Sequence, residues 1–346
     1  MAETGDSAGR GQAPGDSGDH EGGGERRAPG SSVAAYAEAY ALLGMALLVA
    51  IVFSVLPSTS ETFPTVLNFQ AIAGGQAVLV VATMAVLVPL ICDEFDLSVG
   101  ANLGLSSVLA GSVLEAGAPL AVGIAVGIVS GVLVGGVNGL LVTRAGVNAV
   151  IVTLGTATII HGIVQARTGG QSITEGIPIA LLNLGSSDVL GIPRILIAAL
   201  IVVAVLYYVL AFLPYGRHLY MLGANRQAAK LVGLRTNHLL FSCFVVGGAL
   251  AGIAGVLQLS RAGSAVPNVG ETFTLPAFAA AFLSAAAIKP GRYNVWGAVT
   301  AIAFLAIING GLNIAGARAY ISDFVNGTAL IAGVALAVFL SRRRRA

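Results

Sequence analysis

Charge is what this chain of 346 residues has least of: Asp, Glu, Lys and Arg make up 10% of it, against 56% hydrophobic residues. So few charges cannot cover a soluble domain, and a chain this apolar is an integral membrane protein. Lysine occurs only as Lys230 in AAKLV and Lys289 in IKPGR, so the G-x-x-x-x-G-K-[ST] loop is missing and nucleotide binding by a P-loop is excluded. Cysteine is limited to Cys92 and Cys243, both in or beside apolar runs, which predicts ordinary buried thiols and no disulfide. Ionisable groups are scarcer still within the apolar runs. Asp93, Glu94, Asp96, Glu115 and Asp323 fall near their ends, and His161 alone lies well inside one. Proton and sodium relays generally use intramembrane carboxylates, so this scarcity argues against a carrier that works alone, and His161 reads as a hydrogen-bonded packing residue. Paired catalytic carboxylates, metal-ligand clusters and a nucleophile elbow are missing too. No catalytic, cofactor-binding or metal residue is assigned, and a net charge of +2 indicates nothing about nucleic acid.

What is present is a succession of apolar runs: Tyr36–Leu56, then about 66–91, 96–114, 119–142, 147–165, 194–213, 239–260, 274–288, 295–315 and 321–340. A helix needs about 20 apolar residues to cross about 30 Å of hydrocarbon, so these predict an all-α polytopic bundle of about ten transmembrane helices in one domain, 33–341. Residues 1–32, rich in Gly, Asp and Glu, predict a disordered tail and not a signal peptide; 342–346 form a basic end. With the tail inside, fourteen of the 18 Lys and Arg fall on the cytoplasmic side, and Arg167, Arg194, Arg261 and Arg318 on the other. That asymmetry places both termini and the 214–238 loop in the cytoplasm.

The fourth run carries Gly123, Gly127, Gly131, Gly135 and Gly139 at four-residue spacing, and Gly248 and Gly252 repeat it in the seventh. Such a stripe lets another helix backbone approach closely, so these are helix-packing candidates. Asn138-Gly139-Leu140 and Asn309-Gly310-Gly311-Leu312 end corresponding runs, which suggests an inverted five-helix repeat. Neutral polar residues are scattered through the runs. Gln76, Asn102, Asn138, Thr153, Thr156, Asn309 and Asn313 are candidates for a translocation path, because amides and hydroxyls pass a hydroxyl-rich solute without holding it. The alternative role for each is interhelical hydrogen bonding.

Pro214 to His238 is the longest polar interruption with helical character. Ala224–Val232 predicts a short helix outside the bilayer, stopped by Gly233. Leu222, Ala228 or Ala229 and Val232 are expected on one face, Arg226, Gln227 and Lys230 on others, as in a surface helix that docks on a partner.

FDLSVGANLGLSSVLAG (95–111), GGVNGLLVTRAGVNAVIVTLGTATIIHG (135–162), YGRHLYMLGANRQAAKLVGL (215–234) and NGGLNIAG (309–316), in this order and spacing, resemble the ribose-type sugar permeases of bacterial ABC importers, relatives of the branched-chain amino acid permeases. The resemblance covers roughly residues 40–340. It implies a ten-helix permease of the bacterial cytoplasmic membrane that pairs with a second copy or a sister permease. The implied partners are two cytoplasmic ATPase subunits, which bind ATP and magnesium, and an extracytoplasmic sugar-binding protein. The implied coupling helix is Gly223 to Gly233, with Gly223, Ala224, Asn225, Arg226, Ala228, Ala229, Lys230 and Gly233 as ATPase-contact candidates. Three departures from the family pattern stand out: Asp93-Glu94-Phe95 where a Gly-Gly pair is common, Ala287 to Arg292 where many members have a Gly-rich run, and Asn148 where proline is frequent. An importer of branched-chain amino acids or another small polar solute on the same scaffold is one alternative, and a stand-alone ion-coupled carrier or channel is another of different class.

Overall fold

The computed structural model describes residues 30–345, with side chains from 39 to 337 and at Tyr36; most of the expected tail and the side chains of the 342–346 basic end lie outside the described residues. Every apolar run is helical: α1 Gly30–Val55, α2 Val66–Ile91, α3 Val99–Glu115, α4 Leu120–Thr143 and α5 Ala149–Thr168. The short α6 Ile179–Ser186 and a two-stranded hairpin, β1 Asp188–Val189 with β2 Ile192–Pro193, lead to α7 Arg194–Phe212. Leu190 and Gly191 turn that hairpin with positive φ at both positions, which suits tight two-residue turns. Then come α8 Pro214–Ala224, α9 Arg226–Leu231, α10 Thr236–Ala262, α11 Glu271–Leu283, α12 Val295–Ile314 and α13 Tyr320–Arg345. The expected tail boundary is corrected slightly, since α1 already begins at Gly30.

Among the described residues, seven helices are long and apolar enough to cross a membrane: α2, α4, α5, α7, α10, α12 and α13. The third and eighth runs are different. At 1.5 Å per residue, α3 reaches about 25 Å and α11 about 20 Å, short of a full crossing. Each begins after a chain break. α2 ends where Cys92 N and Glu94 N both bond Pro89 O and Asp93 turns to φ 63°. Asp96 and Ser98 then carry the chain inward to α3. On the other side, α10 ends at Gly263 (φ 64°), Ala265 bridges to Ile173, and Asn268 (φ 58°) and Gly270 lead into α11.

The two short helices meet at their starts. A methyl group on Gly100 would collide with the Gly270 carbonyl oxygen, and one on Gly270 with the Gly100 carbonyl oxygen. Reciprocal packing surrounds this point: α3 lies against α4, α5 and α10, while α11 lies against α12, α13 and α2; α4 packs on α10 as α12 packs on α2. Exchanging α2–α5 for α10–α13 maps these neighbours on one another, whereas α1, which packs on α12, and α7, which packs on α2, do not follow the exchange. The centre is apolar on all sides, as a helix enclosed by others must be: α2 is buried without interruption from Ala77 to Ile91.

The α4–α10 seam is where backbones come closest. A Cβ on Gly131 would strike Gly248 O, on Gly135 Phe244 O, on Gly248 Gly131 O, and on Gly252 Gly127 O at 2.9 Å. Gly127 faces Val256, Gly139 faces Phe241, and Gly123 faces Leu114 of α3. Cys92 and Cys243 are both free and buried, but they are neighbours across α2 and α10, Sγ to Sγ 2.6 Å.

Candidate functional site

Pro214 opens α8, a position where its missing N–H leaves nothing unpaired. At Asn225 the backbone becomes extended (φ −160°, ψ 105°), and its side-chain oxygen accepts from Gln227 N and Ala228 N at 3.0 and 2.9 Å, starting α9. Val232 N bonds Ala228 O, and Gly233 at φ 83° ends the helix. The expected helix Ala224–Val232 is therefore corrected to Arg226–Leu231, because Asn225 leaves the helical conformation to cap it. The expected face also changes: Leu222 belongs to α8 and is buried, as is Ala229, whereas Ala228, Lys230, Leu231 (89% exposed) and Val232 (64%) look outward. Ala224, Asn225 and Gly233 are exposed as well. Gly223 is occupied within the chain, for a methyl there would collide with Ile91 O.

Two fastenings tie this segment to the short helices. Arg226 pairs with Glu94 at 2.6 Å, in the break that precedes α3. The Tyr220 hydroxyl donates to Tyr293 O at 2.9 Å, and the Arg292 guanidinium lies 4.5 Å from the centre of the Tyr220 ring, in the loop that follows α11. That loop is itself pinned by Asn294, whose amide donates to Ser284 O, Ala287 O and Arg292 O. Burial raises the Tyr220 phenol pKa, with Arg292 pulling the other way. Burial pushes Tyr293 up to about 12, with the Asp93 charge adding to it. Both phenols thus stay protonated at neutral pH. A cavity of about 590 Å³ opens behind this junction, lined by Asp93, Tyr220, Gly223, Arg292 and Tyr293 among others.

The candidate path residues separate into groups. Asn138 and Thr156 join one network: Thr156 Oγ1 donates to Asn138 Oδ1 (2.7 Å), Asn138 Nδ2 to Ser98 Oγ (2.8 Å), and Ser98 Oγ to Asp96 Oδ1 (2.6 Å). Thr153 Oγ1 accepts from Leu97 N at 3.1 Å. These residues hold α4 and α5 to the break before α3. Asp96, expected near a run's end, is 2% exposed and ends that network, accepting from Ser98 N and Ser98 Oγ. Asn102 donates to Gly131 O across the α3–α4 contact and keeps a partnerless Oδ1. Asn309 reaches Asn326 of α13 at 3.4 Å, Gln76 is half-buried on α2, and Asn313 is exposed at the end of α12. The seven do not converge on one space.

A different polar group does converge. Between α3, α5, the 268–270 loop and the start of α11 lies a cavity of about 390 Å³, whose lining includes Thr158, His161, Asn268, Glu271 and Thr274. His161 Nδ1 stands 3.5 Å from Glu271 Oε1, their side chains 48% and 69% exposed. The packing role expected for His161 is thus corrected: it borders an open cavity. Glu271 escaped the sequence reading because it precedes an apolar run and has its partner 110 positions away.

The family described as branched-chain amino acid transport system / permease component matches residues 68–334. The chain is 29% identical to the ribose import permease protein of Haemophilus influenzae over 310 residues, 89% of this chain and 95% of the relative. It is 32% identical to the D-allose transport system permease protein of Escherichia coli K12 over 299 residues (86% and 90%). It is also 32% identical to the autoinducer 2 import system permease protein of Shigella flexneri over 288 residues (83% and 84%). No solved structure matches the chain.

Proposed function

This chain belongs to the permease family of the branched-chain amino acid transport systems, and on that premise we propose that it is the membrane-spanning subunit of an ATP-driven importer for a monosaccharide. Relatives named for ribose, D-allose and autoinducer 2 support a sugar-like solute over a branched-chain amino acid. The observation that carries the reading is the capped surface helix α9, with Ala228, Lys230, Leu231 and Val232 outward and its root fastened to both short helices. Exposed aliphatic side chains on a polar segment suit a partner's groove. The partner is a cytoplasmic ATPase that supplies the ATP and magnesium sites; a binding protein delivers the solute on the opposite side, and a second permease copy or sister completes the path.

The α9 end carries seven of the eleven Lys and Arg whose side chains are described, and Arg167, Arg194, Arg261 and Arg318 stay at the hairpin end, which supports a cytoplasmic α9 end. Closure of the ATPases displaces α9. Through Arg226–Glu94 and Tyr220–Tyr293 the displacement reaches the break before α3 and the loop after α11, whose helices touch at Gly100 and Gly270. The gate is a two-state element biased from outside the bilayer.

The test is co-purification of the ATPase with Ala228→Glu and Leu231→Asp variants, together with ATP-driven uptake in vesicles. Loss of both, with the permease still folded, is the expected result. Variants that retain partner and transport, or a purified chain that drives uphill uptake alone, overturn the reading.

A further inference from the structure

The cavity between α5 and α11 lies about half way along α5. Thr158 and His161 stand nine and twelve residues after Ala149, or about 14 and 18 Å along a helix about 30 Å long. At that depth lipid is a poor neighbour for a carboxylate, which is costly to hold at a bilayer centre. Yet Glu271 is 69% and His161 48% exposed, and among the described residues Glu271 has no Lys or Arg within ion-pair reach. Gly155 and Gly162, on the same helix, have nothing within 4 Å of where a Cβ would be. Ile151, Leu154, Ile159 and Ile163 are exposed along the same helix, so its outer surface is largely aliphatic and the polar groups gather at the cavity wall.

The cavity's chemistry narrows the occupant. Thr158 Oγ1 donates to Leu154 O (3.0 Å) and Thr274 Oγ1 to Gly270 O (3.3 Å), so both hydroxyls offer their lone pairs. Asn268 Oδ1 receives Gln165 Nε2 at 3.5 Å, while its own amide nitrogen bonds none of the described residues. Glu271 adds acceptors and His161 a second ring nitrogen. A wall that mixes donors and acceptors suits hydroxyl groups, each of which both donates and accepts. The volume, about 390 Å³, falls at the small end of the range of about 300–1,000 Å³ typical of small-molecule sites. The starts of two discontinuous helices flank the space at mid-depth, the arrangement in which membrane proteins hold solutes at a repeat interface.

We propose that this cavity is a solute-binding station inside the permease, taking a neutral polyhydroxylated solute of monosaccharide size through Glu271, His161, Asn268, Thr158 and Thr274. The station rests on the importer reading above. It makes this chain a second point of selection after the binding protein, and its mixed, half-open wall releases what it binds.

The test uses the permease with its ATPase and binding protein in proteoliposomes, with radiolabelled D-ribose and D-allose as probes. Glu271→Gln and His161→Ala are expected to lower uptake about tenfold at saturating loaded binding protein, with binding-protein-stimulated ATP hydrolysis unchanged and partial recovery in Glu271→Asp. Thr158→Cys, a near-isosteric change that keeps the fold, is expected to react with a water-soluble methanethiosulfonate and to lose that labelling when either sugar is present. Wild-type rates in both Glu271→Gln and His161→Ala, or labelling indifferent to both sugars, overturn the station and leave the importer reading standing. A wild-type complex with no ATP-driven uptake of either sugar sinks both.

Discussion

Glycine serves opposite ends in two parts of this molecule. In the α4–α10 seam, Gly131, Gly135, Gly248 and Gly252 leave no room for a methyl group because another backbone already occupies the space. On α5, Gly155 and Gly162 face nothing within 4 Å. The seam is a weld: two helices held at backbone distance by contacts that dispersion forces supply and that lipid cannot replace. The α5 side is an open surface next to a polar cavity. One chain thus contains a rigid spine and a working face, and the same residue type marks both.

The largest expected effect falls on the spine. Gly248→Leu drives a side chain into the α4 backbone, and overpacking that costs about 1–3 kcal/mol where neighbours yield is expected here to abolish recovery of folded permease, read by yield and thermal unfolding in detergent. A wild-type Tm would erase the distinction. Asn138→Leu comes next. It strips Ser98 and Thr156 of their shared amide, and the stranded groups should lower stability by about 1–3 kcal/mol, measured in the same assay; no loss would mean the network is slack. On the working face, Gly162→Ala should leave the unfolding midpoint unchanged or raise stability by up to about 1 kcal/mol through helix propensity. A clear loss would show that α5 is already covered within the monomer. Arg226→Ala should change stability least, by about 0–1 kcal/mol, since its bridge to Glu94 is 45% exposed on the Arg side. The same variant should hydrolyse more ATP per solute moved, and unchanged coupling would detach Arg226 from transmission.

The three departures from the family pattern acquire physical roles in the structure. Glu94 is the partner of Arg226. Arg292 lies over Tyr220. Asn148 caps α5, its oxygen accepting from Val150 N at 2.9 Å. Two of the three touch the α8–α9 segment, so the chain's own variations gather where a partner's motion would enter. Sequence reading had no means to pair the first two, whose partners lie 132 and 72 positions away, whereas the partner of the third lies 2 positions away. The last is a local cap that Asn before a helical run already signals.

All ten apolar runs were legible because hydropathy and helical period act over a few turns of chain. Two of them form helices, α3 and α11, shorter than a full crossing, because hydropathy alone does not fix where a helix starts within an apolar run. Among the polar residues, Asn138, Thr153 and Thr156 turned out to bind each other's neighbourhoods together, while His161 and Glu271, given a bland role or none, open on the cavity. An amide's sequence context does not reveal whether its hydrogen bonds are used up.

By itself, the sequence determined that this chain lives in a membrane, where its apolar helices lie along the chain, and which polar segment between them is helical. Span length, glycine spacing and turn chemistry are local properties and need no partner to be read. Tertiary structure alone decided that α3 and α11 meet at Gly100 and Gly270, that the α8–α9 segment grips both of their connections, and that a histidine and a carboxylate 110 residues apart share a cavity. Those outcomes depend on which distant surfaces fit at backbone distance, and fit between surfaces emerges only when the helices pack.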